Sequence, residues 1–81
     1  MKNTLLQNLD KLHTTDLGII RIQKNIQLAT DVINWCKDKI NSPFATITKR
    51  GKNFYIDIDN FIITVNSYSY TVITVHKKSR I

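Results

Sequence analysis

The spacing of apolar residues changes once along this chain, and the change divides it into two kinds of structure. Leu5, Leu6, Leu9 and Leu12 recur at helical spacing, which predicts a first amphipathic helix over residues 3–12. Thr14-Thr15-Asp16 is a helix start: a hydroxyl can cap free amides, and Asp16 suits the positive end of the helix dipole. The second helix runs to about Asn25 and buries Ile19, Ile22 and Ile26, while Arg21 sits with Leu17 and Lys24 away from that stripe. Thr30-Asp31 repeats the start signal for a third helix with Val32, Ile33, Cys36 and Ile40 as its stripe. Asn41-Ser42-Pro43 ends it, so the helices occupy about residues 3–41.

From Phe44 the period falls to 2 and β-branched residues take over. Strands are predicted near 44–50, 53–59, 61–66 and 70–77. Gly51-Lys52 and Asp59-Asn60 are tight hairpin turns, and Ser67-Tyr68-Ser69 is a looser one. If Ile58 pairs with Phe61, then Ile56 faces Ile63, Phe54 faces Val65, and the first hairpin sets Ile47 beside Ile56. Choosing Ile73 and Val75 for the same face completes an apolar surface for the helices, and a one-residue slip would expose the whole set to water. The expectation is an α+β domain: two to three N-terminal helices packed on one face of a four-stranded antiparallel meander.

The other face then carries Thr46, Thr48, Arg50, Tyr55, Asp57, Ile62, Thr64, Tyr70, Val72, Thr74 and His76. Hydroxyls, aromatics and an imidazole are what a polar ligand would use. The plainer reading is a solvated sheet face, since antiparallel sheets often leave one side wet and Thr is a good strand former.

Eighty-one residues with two glycines and one proline leave no room for a linker, so residues 1–81 read as a single domain. A chain of this size buries roughly 60–65% of its unfolded surface. Twelve Lys and Arg stand against six Asp, with no Glu, for a net charge of +6. A coding bias towards Lys, Asn and Ile would raise Glu as well, and Glu is missing. Such a surplus favours RNA or another polyanion, or an acidic protein, as partner. No apolar run is long enough to span a membrane. The lone Cys36 makes no internal disulfide, which fits a reducing compartment, and the cytoplasm is the expected location. Asp57 and Asp59 lack a third ligand nearby, so no metal is expected, and no glycine loop suggests a phosphate cofactor.

Two basic clusters, Lys49-Arg50 with Lys52 and Lys77-Lys78 with Arg80, flank the face that holds Tyr55 and Tyr70, with Tyr68 nearby. Cations there would hold phosphates while aromatics stack on bases, although a solvated charge run is the commoner meaning of any one cluster. Cutting RNA without a metal needs an acid, a base and a cation for the phosphorane. His13 and His76 with Arg21 or Arg50 would supply them if they converged. Each histidine also has a plainer role: His13 lies one turn beyond Leu9 at a helix end, and His76 sits on a wet strand face.

Several stretches resemble an uncharacterised family of small bacterial proteins known only as a domain of unknown function. They are Leu9-Asp10-Lys11-Leu12-His13-Thr14-Thr15, Arg21 to Ile26, Asp31 to Lys37, Arg50-Gly51-Lys52-Asn53, and Ile63 to Lys77. That resemblance implies no activity. A weaker one points further: helices before a four-stranded meander, with His then Arg early and Thr in the last strand, look like the barnase, colicin and RelE-type ribonuclease fold. It would match His13 and Arg21 to the early pair and Thr74 to the late hydroxyl. The chain departs from that group in having no Glu to act as base and in spacing His13 and Arg21 eight residues apart. The leading expectation is a small RNA-directed protein, sharpened to a metal-independent endoribonuclease of toxin type with His76, His13, Arg21 and Thr74 as its site. Lys49, Arg50, Lys52, Tyr55, Tyr70 and Lys77 are the expected nucleic-acid contacts. The alternative is a non-enzymatic inhibitor or interaction module of mobile-element type, docking an acidic protein surface.

Overall fold

The computed structural model describes residues 4–28 and 31–78. Thr30 and Arg80, named above, fall outside them. The helical half comprises α1 (Thr4–Gln7), a 3-10 turn (Leu9–Lys11), α2 (Asp16–Ile26) and α3 (Val32–Ile40). The second half is a sheet of β1 (Thr46–Arg50), β2 (Asn53–Ile58), β3 (Phe61–Asn66) and β4 (Val72–Lys77). Its strands lie in sequence order and pair antiparallel throughout. The expected α+β meander is the fold observed.

The first helix is shorter than its leucine spacing predicts. Asn8 turns its side chain back onto the Thr4 carbonyl at 2.8 Å and leaves the helical backbone region. A side-chain amide that competes in this way interrupts the helical ladder. The break still buries Leu5 and Leu12, but it leaves Leu6 exposed and delivers His13 as an extended residue. The other two helices begin as their capping residues require. Thr15 Oγ1 accepts from the Gly18 amide at 3.0 Å, and the Asp31 carboxylate accepts from the Asn34 amide at 3.1 Å. Their inner faces are Gly18, Ile22 and Ile26 on α2 and Val32, Cys36 and Ile40 on α3.

Both tight hairpins hold the predicted register: Ile47↔Ile56, Phe54↔Val65, Ile56↔Ile63 and Ile58↔Phe61. Gly51 opens the first turn at φ +58° and Asp59 the second at +55°, the left-handed region that short hairpin turns demand. Phe54, Ile56, Ile58, Ile63, Val65 and Val75 meet Leu5, Ile22, Ile26, Cys36 and Ile40 in one core. Phe61 is half-buried and stacks edge-on against Trp35, centroids 5.1 Å apart.

One strand corrects the prediction. Thr64 pairs with Thr74 but Val65 pairs with Val72, so β4 carries an extra residue at Ile73. This bulge flips the alternation beyond it. Val72, expected on the wet face, is buried, whereas Ile73, expected in the core, is 41% exposed. Tyr70 also leaves the sheet. It precedes β4 at φ +60° and packs against the core rather than lying on the outer face.

The two sheet edges are treated differently. Outside β4, the His13 amide donates to the Tyr70 carbonyl at 3.2 Å and the Val72 amide donates to the His13 carbonyl at 2.7 Å. Thr14 Oγ1 donates to the Val72 carbonyl at 2.9 Å and Asn25 Nδ2 to the Val75 carbonyl at 3.2 Å. Those contacts close the β4 edge against strand addition. No described residue does the same for β1, whose side chains are exposed except for a half-buried Ile47.

Candidate nucleic-acid interface

Register places three cross-strand rows on the sheet face away from the helices. Thr46, Asp57, Ile62 and His76 form one, Thr48, Tyr55, Thr64 and Thr74 the next, and Arg50, Asn53 and Asn66 the third. A shallow depression of about 250 Å³ sits among them, lined by Thr46, Thr48, Arg50, Tyr55, Asp57 and Ile62. Its chemistry is graded: a guanidinium at one end, a phenol ring and the Thr48 hydroxyl in the middle, the Asp57 carboxylate and Thr46 hydroxyl at the other end. Asn53 Nδ2 donates to the Tyr55 hydroxyl at 3.4 Å, and the Lys78 ammonium pairs with Asp57 Oδ1. That ion pair offsets the charge of the acid lining the depression.

The expected contacts divide between this face and others. Arg50 and Tyr55 line the depression, and Lys52 is exposed in the hairpin turn beyond Arg50. Lys49 and Lys77 are exposed but alternate to the other side of their strands from Arg50 and His76. Tyr70 is elsewhere, half-buried with the Lys11 ammonium 6.0 Å from its ring centre. Asn53, Asn66 and Lys78 belong to the face or its rim. The first two share the parity of Tyr55 and Thr64, so period-2 counting carried one step further finds them.

The four residues expected for catalysis occupy three places. His76 is exposed beside Ile62, and Thr74 is half-buried next to Thr64. Arg21 is exposed on α2, whose buried face packs on the opposite side of the sheet. His13 bridges Thr71 just before β4; Thr71 lies opposite Asn66 and His76 opposite Ile62, so the two ends are four β3 positions, or about 13 Å of strand, apart. Its ring is held at both nitrogens. Nδ1 lies 2.9 Å from the Lys11 carbonyl, to which it can only donate, so Nε2 faces Thr71 Oγ1 at 3.1 Å. Thr71 Oγ1 continues to Ser69 Oγ at 2.7 Å, and Ser69 reaches Asn66 Oδ1 at 3.3 Å. This hydroxyl chain ties the N-terminal segment to the β3–β4 turn.

Among the described residues no group of three His, Cys, Asp or Glu is placed to hold a metal, and no helix is long and apolar enough to cross a membrane. Asp59 pairs with Lys39 across the sheet's helix side. Cys36 lies in the core, where burial pushes its thiol from 9.0 up to about 12. No curated protein and no solved structure matches the chain, those of the ribonuclease-toxin fold included. One family does: that described as protein of unknown function (DUF3781) matches residues 6–76, and the chain belongs to it.

Proposed function

We propose that this protein binds single-stranded RNA across the outer face of its sheet. The observation that carries the reading is the depression itself, where Arg50, Tyr55 and two threonine hydroxyls converge on an open antiparallel face of a chain with net charge +6. The half-buried Tyr55 ring lining the depression offers a stacking platform for a base without demanding its identity. Arg50 and Lys52 set cations at one end of that platform, where a backbone would run, and Lys78 offsets the Asp57 carboxylate at the other. The 2′-hydroxyl and base edges are matched by Thr46, Thr48 and Asn53, short polar groups on neighbouring strands.

The proposal is of binding. Cleavage would require two proton carriers within hydrogen-bond reach of one phosphate, and His13 and His76 stand at opposite ends of β4. Fluorescence anisotropy of a labelled single-stranded RNA at low salt tests the reading. Saturable binding that Tyr55→Ala weakens several-fold supports it. Absence of binding at low salt refutes it and favours the docking of an acidic protein surface instead.

A further inference from the structure

We propose that β1 is the interface of a twofold dimer, in which two copies pair antiparallel through this strand into one eight-stranded sheet. Arg50 and Asn53 close a two-residue hairpin, so Arg50, Thr48 and Thr46 direct their amides and carbonyls to β2. Ile47 and Lys49 therefore point theirs outward. The same phase, carried across the sheet and through the bulge, predicts outward carbonyls at Val75 and Val72, and these are the carbonyls that Asn25 and Thr14 engage. Among the described residues nothing engages Ile47 or Lys49 in that way. Thus among the described residues the fold closes one edge with four hydrogen bonds and leaves the other open.

The sequence of that open edge, Thr46-Ile47-Thr48-Lys49-Arg50, suits a second copy of itself. An antiparallel pairing centred on Thr48 sets Ile47 opposite Lys49 of the second copy, and the reverse, as two hydrogen-bonded pairs. Both outward residues of each strand are then satisfied by one symmetry operation, as an isologous interface requires. Charge allows this register. Each Lys49 faces an isoleucine and each Arg50 faces Thr46, so no two cations stand directly opposite. Asp57 neighbours Thr46 on its other side, two strand spacings or about 9.5 Å from Arg50 of the second copy. An extended arginine side chain spans much of that gap and can approach the carboxylate. The second copy thus contributes a guanidinium to each depression, and the two depressions lie side by side across the twofold.

The interface is short, and each copy carries a net charge of +6. Dimerisation is therefore weak and strengthens with salt as repulsion is screened, opposite to the dependence expected for RNA. Sedimentation velocity of the full chain at low and high salt should show a dimer that grows with protein concentration and with salt. Lys49→Pro removes an outward amide and an exposed side chain without breaking the β1–β2 ladder. It should weaken dimerisation about tenfold or more with the circular dichroism spectrum retained. The central Thr48 pair is not hydrogen-bonded, which sets its Cα atoms about 4.5 Å apart, within disulfide range. Under mild oxidation Thr48→Cys should form an interchain disulfide far faster than Tyr68→Cys in an exposed turn. A monomer under all conditions, equal crosslinking at the two positions, or a dimer indifferent to Lys49→Pro would each overturn the proposal.

Discussion

The Thr14 hydroxyl donates to the Val72 carbonyl at 2.9 Å, and so ties the residue before the α2 cap to the outer edge of β4. Gly18 is what leaves room for it. A Cβ at Gly18 would stand 2.3 Å from Thr14 Oγ1 and 3.1 Å from Thr15 Oγ1, the cap itself. Helix propensity alone favours Gly18→Ala by roughly 1 kcal/mol. The contact argues the other way, since the new methyl must displace the Thr14 hydroxyl and leave an edge carbonyl unpaired.

Gly18→Ala should therefore destabilise the protein by about 1–3 kcal/mol, read from urea unfolding midpoints. Thr14→Ala, which loses the bond without the clash, should cost about 0.5–1.5 kcal/mol. A Gly18→Ala variant more stable than the parent by the roughly 1 kcal/mol of helix propensity would mean that Thr14 rotates away at no cost, and that the edge bond contributes little.

The bulge in β4 gives a comparison between adjacent residues. Val72 is 1% exposed and Ile73 is 41% exposed, although strict alternation assigns them the reverse. Val72→Ala should cost about 2 kcal/mol or more through the cavity it leaves. Ile73→Ala should cost under about 1 kcal/mol, as befits a partly exposed site. Equal losses at the two positions, measured by the same denaturant titration, would contradict the bulge.

Much of this architecture is legible in the residues, because local rules and burial agree. Gly51 and Asp59 announce their turns, and two-residue turns leave only one register that buries Phe54, Ile56 and Ile63 together. The helix starts at Thr15 and Asp31 are equally plain. What the pattern hides is tertiary. Asn8 ends α1 through its own side chain, a choice that leucine spacing does not reveal. Tyr70 and Ile73 follow a turn whose Asn66 side-chain oxygen collects the Tyr68 and Ser69 amides at 2.9 and 3.0 Å. The irregular backbone after that turn, not alternation, decides which way Tyr70 and Val72 face. The same limit governs the site. Period 2 groups Thr46, Thr48, Arg50, Tyr55, Asp57 and Ile62, the six residues of the depression, but it carries no information on how far His13 lies from His76.

Cys36 offers a probe of opening. Burial disfavours the thiolate, so its folded pKa of about 12 lies above the reference 9.0. The stabilising contribution is fully present below pH 9. It is lost as pH rises from 9 through 12, because the unfolded chain releases its proton first. At neutral pH a thiol reagent should label Cys36 only when the core opens, at a rate that climbs with urea alongside unfolding. Cys36→Ser should cost about 1–3 kcal/mol by burying a hydroxyl without a matched partner. Rapid labelling of the folded chain without denaturant would show that α3 leaves the sheet more readily than its buried stripe implies.

The outer face makes the most direct prediction about function, because salt separates charge from stacking. Each phosphate neutralised by a cation releases counterions, so the logarithm of RNA affinity should fall linearly against the logarithm of salt concentration. Arg50 and Lys52 stand at one end of the depression, and their joint replacement by Ala should reduce that slope by roughly 0.7 for each phosphate no longer neutralised. Tyr55→Ala should behave otherwise. Losing a stacked base costs roughly 1–3 kcal/mol while the slope stays as it was, since no charge has been removed. His76→Ala should reduce affinity modestly, because the ring is exposed in the same cross-strand row as Asp57 and Ile62 of the depression. His13→Ala lies at the other end of β4 and should leave RNA affinity unchanged, although it loosens the Thr71 bridge and lowers stability. Anisotropy titrations over a salt series distinguish these outcomes in one set of variants. A Tyr55→Ala protein that binds as tightly as the parent, or an Arg50 and Lys52 double variant with an unaltered slope, would remove the outer face from consideration. The basic surplus would then be serving a surface elsewhere on the molecule.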